Sequence, residues 1–232
     1  NPSYTHTNVF QNDFPAIIDG NGKEKKTGLS HLLRTESVRG ECQVVCFSPR
    51  HDLTLSHMSV QDIQTVIDTW IDQINDLKKS YDWIQIFENK GELMGCSNPH
   101  PHGQIWASNF IPTEIQKEDN QQKKYFDIHN AILLLDYIKQ EQKQKERIVY
   151  ENDTWIVIVP FWAIWPFETL LLPKKHRTLL TLISKEEKKQ LAEIMKRLLM
   201  AYDRLFITSM PYSMGWHFAP FHGENDNHWQ LH

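Results

Sequence analysis

One pattern of chain markers occurs twice, and that repetition restricts the fold more than any other feature. In the first copy an apolar stretch, residues 43–47, runs into Ser48-Pro49-Arg50-His51 and then Leu53-Thr54-Leu55. A helix is predicted from Ser59, with Asp62 in the place of a capping-box Glu; Ile63, Val66, Ile67, Trp70, Ile71, Ile74 and Leu77 recur close to the 3.6-residue period. Tyr81-Asp82, a strand over 83–87, a turn at Asn89-Lys90-Gly91 and Met94-Gly95 follow. The second copy has strands over 155–159 and 169–172, then Pro173-Lys174-Lys175-His176. A helix from Ser184, with Glu187 as capping partner, carries the stripe Leu191, Ile194, Met195, Leu198 and Leu199. Tyr202-Asp203, a strand around Leu205-Phe206-Ile207, and Met214-Gly215 complete it. The repetition predicts an α+β fold of two similar halves, each an antiparallel sheet crossed by a helix. The halves are residues 1–113 and 150–232. The segment between them, 114–149, is charged, is free of Pro and Gly from Glu114 to Arg147, and carries Ala131-Ile132-Leu133-Leu134-Leu135. It reads as an ordered helical connector. Residues 1–40 read as irregular, with a turn at Gly20-Asn21-Gly22 and a solvated run Lys23-Glu24-Lys25-Lys26.

The chemistry concentrates in Gly95-Cys96-Ser97-Asn98-Pro99-His100-Pro101-His102-Gly103-Gln104-Ile105-Trp106. Residues two apart on an extended backbone share a face, so His100 and His102 are expected side by side. Pro99 and Pro101 cannot donate to a sheet ladder, which suggests an edge or a loop-to-strand segment facing a ligand. Imidazole suits metal ligation, proton transfer or nucleophilic attack near neutral pH. A bare His-x-His is weak, because histidines also serve as ordinary polar residues at strand ends. Ser97 and Gln104 strengthen it as hydrogen-bonding groups for a polyanion, and Gly103 permits close backbone approach.

Composition narrows the partners. A net charge of −4 disfavours non-specific nucleic-acid binding. No apolar run approaches a membrane-spanning length and no secretory pattern is present. Three cysteines, Cys42, Cys46 and Cys96, are too few for a secreted disulfide framework, so the cytoplasm is expected, with Cys42 and Cys46 as core residues. Eight tryptophans suit a large core or an interface, and twelve histidines ask for a site.

The histidine motif, together with Phe87-Glu88-Asn89-Lys90-Gly91, Trp165-Pro166-Phe167-Glu168-Thr169-Leu170-Leu171-Leu172-Pro173, Pro211-Tyr212-Ser213-Met214-Gly215-Trp216-His217 and His228-Trp229-Gln230-Leu231-His232, resembles the galactose-1-phosphate uridylyltransferase family of the histidine-triad-like superfamily. The resemblance covers nearly the whole chain. It implies a double displacement in which UDP-glucose gives UMP to a histidine, releasing glucose-1-phosphate, and galactose-1-phosphate then takes the UMP as UDP-galactose. His102 matches the nucleophile and Gln104 the residue that hydrogen-bonds the phosphoryl oxygens. Ser97 matches a phosphate contact, Asn89 a sugar or phosphate contact, and Asn12 and Asp13 the uridine-binding stretch. His51 and His100 match two ligands of a structural zinc. Glu118, His217 and His232 match ligands of a second site for iron or a second zinc. A homodimer is implied, with each active site completed by its partner.

Two departures bear on those expectations. The chain begins after the family's upstream zinc cysteines and ends at His232, one residue short of a second His-x-His, so its second half is expected to be truncated. Phe218 replaces a small residue after His217. Two other readings stay open: another histidine-triad-like nucleotide hydrolase or phosphorylase, and a non-catalytic metal- or nucleotide-binding module. The long Trp-Pro-Phe-Glu and Tyr-Ser-Met-Gly-Trp-His blocks favour the transferase.

Overall fold

The structure is a computed structural model that describes residues 3–20, 31–33, 37–221 and 226–232. The charged run 23–26 and most of the turn expected at Gly20-Asn21-Gly22 fall outside these residues. Among them the architecture is α+β, with two antiparallel sheets and four α-helices. The first sheet joins β1 (Asn8–Gln11), β2 (Gly40–Cys46), β3 (Trp83–Lys90), β4 (His102–Ser108) and β8 (Tyr212–Trp216) in the order β1-β2-β4-β3-β8. The second is a meander of β5 (Ile148–Glu151), β6 (Trp155–Ile158) and β7 (Leu170–Pro173).

The two sheets show different burial, and the sequence says why. In β4, Gly103, Ile105 and Ala107 are buried and His102, Gln104 and Trp106 are not, the alternation of a sheet packed on one face only. The buried face rests on α1 (Val60–Leu77) through Ile63, Val66, Ile67, Trp70, Ile74 and Leu77. In β6 the run Trp155-Ile156-Val157-Ile158 is buried throughout, because the second sheet is covered twice. Trp155 and Val157 join the main core with Leu191, Ile194 and Met195 of α4 (Lys185–Phe206), while Ile156 and Ile158 pack with Leu134 and Ile138 of α3 (Leu133–Gln144).

The predicted strand–helix–strand order recurs: β2, α1, β3 in one half and β6–β7, α4, β8 in the other. Both helices begin at a serine. Ser184 and Glu187 form the full reciprocal capping box. Ser59 caps the Asp62 N–H at 3.1 Å, but Asp62 accepts the Ser59 hydroxyl at 2.6 Å instead of reaching back to the backbone, as expected of a side chain one methylene shorter. β3 and β8 pair antiparallel, Ile86 opposite Trp216 through Lys90 opposite Tyr212, so the halves share one sheet. Trp216 lies 6.4 Å from Trp70 and 6.1 Å from Trp155, carrying the core across this seam.

Several local expectations are corrected. Residues 1–40 are not wholly irregular: β1 pairs with β2. Leu205-Phe206-Ile207 is not a strand. Leu205 and Phe206 end α4, and Ile207 is its left-handed cap at φ 54°. The connector is two helices, α2 (Thr113–His129) and α3, broken at Asn130, which is left-handed at φ 48°. The repeated Tyr-Asp and Met-Gly markers are not equivalent. Tyr202 and Asp203 lie inside α4 and Met214 and Gly215 inside β8, whereas Tyr81 and Asp82 precede β3 and Met94 and Gly95 sit in a turn. Of the tryptophans, Trp70, Trp83, Trp155, Trp216 and Trp229 form core, the first of the two roles expected for them, whereas Trp162 and Trp165 are exposed.

Candidate active site and metal-binding cluster

The histidine motif crosses from a bend into a central strand. His100 lies in the bend before β4, and His102 is the first residue of β4, which sits between β2 and β3. The segment is thus loop-to-strand and not a sheet edge, so the prolines stop where the ladder starts. Gly103 is required for packing on the core side: a Cβ there would come within 2.9 Å of the Phe47 ring and of the Phe87 carbonyl. The close approach expected of this glycine is therefore to the core. It pins the backbone between His102 and Gln104, whose side chains emerge on the open face.

His102 Nδ1 lies 2.8 Å from the carbonyl of His100. A carbonyl only accepts, so Nδ1 carries the proton and Nε2 keeps its lone pair. Across the open face, Cys46 is opposite His102, and Gln104 is flanked by Val44 and Phe87. Cys42 is fully buried as expected, while Cys46 is half-buried beside the strand that His102 begins. Asn89 lies near the end of β3, two residues before Gly91, and Ser213 Oγ donates to its Oδ1 at 2.6 Å. Ser97 is exposed in the turn before His100.

Asn12 follows β1, its N–H donating to the Cys42 carbonyl at 2.9 Å and its Oδ1 accepting the Phe14 N–H. Cys42 is four residues along β2 from the partner of His102, so Asn12 and Asp13 lie about 13 Å further along the sheet.

His51 and His100 converge, their Nδ1 atoms 2.8 Å apart. His100 Nε2 lies 3.0 Å from the Tyr4 hydroxyl, which donates to the Ser48 carbonyl at 2.9 Å. Because that hydroxyl proton is committed to Ser48, neutral His100 donates from Nε2 and accepts from His51 at Nδ1. Burial, with His51 and His102 close by, lowers the His100 pKa below the ordinary histidine value. Burial likewise pushes Tyr4 up to about 12, with Cys46 adding to it. Tyr4 was not legible as part of this cluster, because ninety-six residues separate it from His100.

The second cluster is built on the turn of α2 that Ile115 anchors against Trp83 and Trp229. Glu118 is one turn further on and Gln122 one turn beyond it, so both face the chain end, where Gln122 Oε1 accepts the Gln230 N–H at 3.0 Å. His217 and His232 exchange both backbone hydrogen bonds, at 2.8 and 3.0 Å, which aligns their rings. Glu118 oxygens lie 3.0 and 3.1 Å from His217 Nδ1 and 3.6 Å from His232 Nε2. Candidate ligand atoms on the three residues all lie within 4.8 Å of one another, so the triad can hold a metal ion. His232 Nδ1 bonds the Gln230 carbonyl at 2.9 Å, which turns Nε2 inward. Burial works to raise Glu118, but hydrogen bonds and positive charge from His217 and His232 outweigh it and hold its pKa at about 2. Phe218, the departure after His217, is fully buried against Trp83. Asp119 and His228, in contact at 2.6 Å, were not singled out from sequence; their signal was adjacency to Glu118 and the block ending at His232.

The galactose-1-phosphate uridyl transferase N-terminal domain matches residues 1–112 and the C-terminal domain residues 118–232. The galactose-1-phosphate uridylyltransferase of Haemophilus influenzae is 52% identical over 232 residues, all of this chain and 66% of that protein. The rat enzyme of the same name is 50% identical, covering all of this chain and 62% of its own length, and a probable one from Drosophila melanogaster is 45% identical, covering 100% and 67%. A solved uridylyltransferase superposes with a TM-score of 0.90 at 28% identity, over 99% of this chain and 72% of that one. An ADP-glucose phosphorylase from Arabidopsis thaliana shares the fold, with a TM-score of 0.83 at 23% identity over 97% and 70%. The chain belongs to the galactose-1-phosphate uridylyltransferase family. It spans less than two thirds of the length of the Haemophilus influenzae and rat relatives.

Proposed function

We propose that this chain carries the catalytic centre of a uridylyltransferase that exchanges UMP between UDP-glucose and galactose-1-phosphate. The observation that carries the reading is the His102 ring, with Nδ1–H spent on the His100 carbonyl and Nε2 free on the open sheet face beside Gln104. In the first step Nε2 attacks the α-phosphorus of UDP-glucose, a P–N bond forms, and the P–O bond to glucose-1-phosphate breaks. In the second, a phosphate oxygen of galactose-1-phosphate attacks the same phosphorus and His102 leaves with its electron pair. Imidazole suits both roles, as nucleophile and as leaving group. Gln104 donates a neutral hydrogen bond to the non-bridging oxygens as charge spreads over them. Ser97 and Asn89 contact phosphate or sugar. Asn12 and Asp13 bind uridine, for which their separation from His102 along the sheet is on the scale of a nucleotide.

The donor sets fit the metals the family resemblance implies. A carboxylate with two imidazoles suits iron or zinc at Glu118, His217 and His232. His51 and His100 supply two of the four ligands of a structural zinc, whose bound state would fix the bend that leads into His102. The homodimer, the cytoplasmic location and the division into residues 1–113, 114–149 and 150–232 belong to the same proposal. Among the described residues no helix is long and apolar enough to cross a membrane. Incubation with UDP-glucose labelled in its α-phosphate tests the reading: protein-bound label is expected, and its absence would overturn it in favour of a hydrolase, a phosphorylase or a binding module.

A further inference from the structure

We propose that Trp106 is a positioning residue whose indole N–H holds the Gln104 amide with its NH2 group toward the phosphoryl bound to His102. This rests on the uridylyl-transfer reading above. Residues 104 and 106 alternate onto the same open face of β4, and Trp106 Nε1 donates to Gln104 Oε1 at 3.2 Å. An indole N–H has no acceptor capacity, so only the carbonyl end of the amide can face it. The anchor therefore decides which end of Gln104 is left for the ligand. With Oε1 tied back, Nε2 is the group presented. Were the amide free to turn over, half its orientations would set a carbonyl dipole against anionic oxygens, the opposite of what a transition state with spreading negative charge needs.

The anchor is itself held. The Trp106 ring meets Phe87 edge-on, with centroids 5.5 Å apart at 83°, and Phe87 is the cross-strand neighbour of Gln104. Below them Gly103 is packed against the Phe47 ring and the Phe87 carbonyl, which fixes the strand between His102 and the amide. At Asn89 the Oδ1 also accepts, from Ser213 Oγ at 2.6 Å, although a hydroxyl, unlike an indole N–H, does not by itself fix which end of the amide it meets. Two amides facing the same surface thus have their carbonyl ends engaged by the protein.

The test is a double-mutant cycle on the single-turnover rate at which UDP-glucose labels the purified protein. Trp106→Phe keeps an aromatic ring against Phe87 and removes the donor. The labelling rate should fall about ten-fold, the scale of one hydrogen bond, with the KM for UDP-glucose unchanged. In a Gln104→Ala background the same substitution should have no further effect. An equal loss in both backgrounds would overturn the proposal, since Trp106 would then act by touching substrate or by holding the fold. If Trp106→Phe does not fold, 3-benzothienylalanine at position 106 keeps the bicyclic shape without the N–H and carries the same expectations. A wild-type protein that takes no label would overturn the uridylyl-transfer reading and this proposal together, whereas wild-type labelling with an additive cycle would overturn this proposal alone.

Discussion

His102 gives its Nδ1–H to the carbonyl two residues before it, at 2.8 Å, and His232 does the same at 2.9 Å. In its neutral form each ring therefore keeps the Nε2 lone pair, and what separates the two sites is what that atom meets. His232 Nε2 faces Glu118 at 3.6 Å, with His217 on the other side of the carboxylate. His102 Nε2 opens onto a sheet face where the nearby side chains are the neutral amide of Gln104, half-buried Cys46 and apolar Val44 and Phe87. A fixed anion beside imidazole suits the metal-ligand role proposed for His232. A neutral donor beside imidazole leaves room for an anionic phosphoryl group, which suits the nucleophile role proposed for His102. The same backbone device occurs in both places, and the neighbouring charge differs.

The largest expected effect comes from moving that charge. Gln104→Glu sets an anion where the proposed reaction gathers the phosphoryl oxygens, and the labelling rate with UDP-glucose should fall by roughly 10²–10³-fold. A variant that labels at the wild-type rate would remove the basis for distinguishing the two sites. The reverse change, Glu118→Gln, keeps the shape of the second cluster and removes its only carboxylate. Metal affinity, read by elemental analysis after dialysis against graded chelator, should weaken by about 10–100-fold, the scale for losing an interaction that tunes a site. Unchanged metal content would show that Glu118 is not a ligand.

A third carboxylate, on the opposite face of the first sheet, sharpens the contrast. Glu88 is fully buried at the seam between the halves and accepts the Tyr212 hydroxyl at 2.6 Å. Burial raises its pKa to about 7, although the Tyr212 hydrogen bond and the Lys90 charge pull the other way. The native state then holds a proton that the unfolded chain has released above its ordinary value near 4.5, so the Glu88 contribution to stability falls as pH rises from about 4.5 to 7. Glu118 has the opposite sign: its depressed pKa gives stability that is present above 4.5 and lost as pH falls toward 2. Glu88→Gln should therefore stabilise the protein at pH 8 by roughly 1–3 kcal/mol relative to its effect at pH 5, measured by urea unfolding at both values. A pH-independent difference would contradict the assignment. The smallest effect compares the helix starts: Ser184→Ala should cost about 1 kcal/mol in the same assay, and Ser59→Ala less, because its box is half made.

The elements that the chain announces locally were legible. Periodicity located α1 and α4, serines marked their starts, and the buried run 155–158 read as a strand. The misreadings have local causes as well. Leu205-Phe206-Ile207 looks like a strand because aromatic and β-branched residues favour one, but here they continue a helix into a left-handed cap. β1 is four residues long and owes its existence to the Gly40–Cys46 strand beside it, which its own composition does not announce. The β3–β8 seam could not be read at all, since its register spans more than one hundred residues and no local signal encodes it. Among the site residues, His51 with His100 and Glu118 with His217 and His232 converge as the motifs implied. Tyr4, Asp119 and His228 enter through contacts that only the folded chain creates.

The proposed roles make the free Nε2 of His102 the nucleophile and that of His232 a ligand. Peptide mapping of the protein after a single exposure to UDP-glucose separates them. A uridylyl adduct is expected on the peptide containing His102, none on the peptide containing His232, and no label in His102→Ala with its fold intact by circular dichroism. An adduct at any other residue, or label retained by His102→Ala, would contradict these roles.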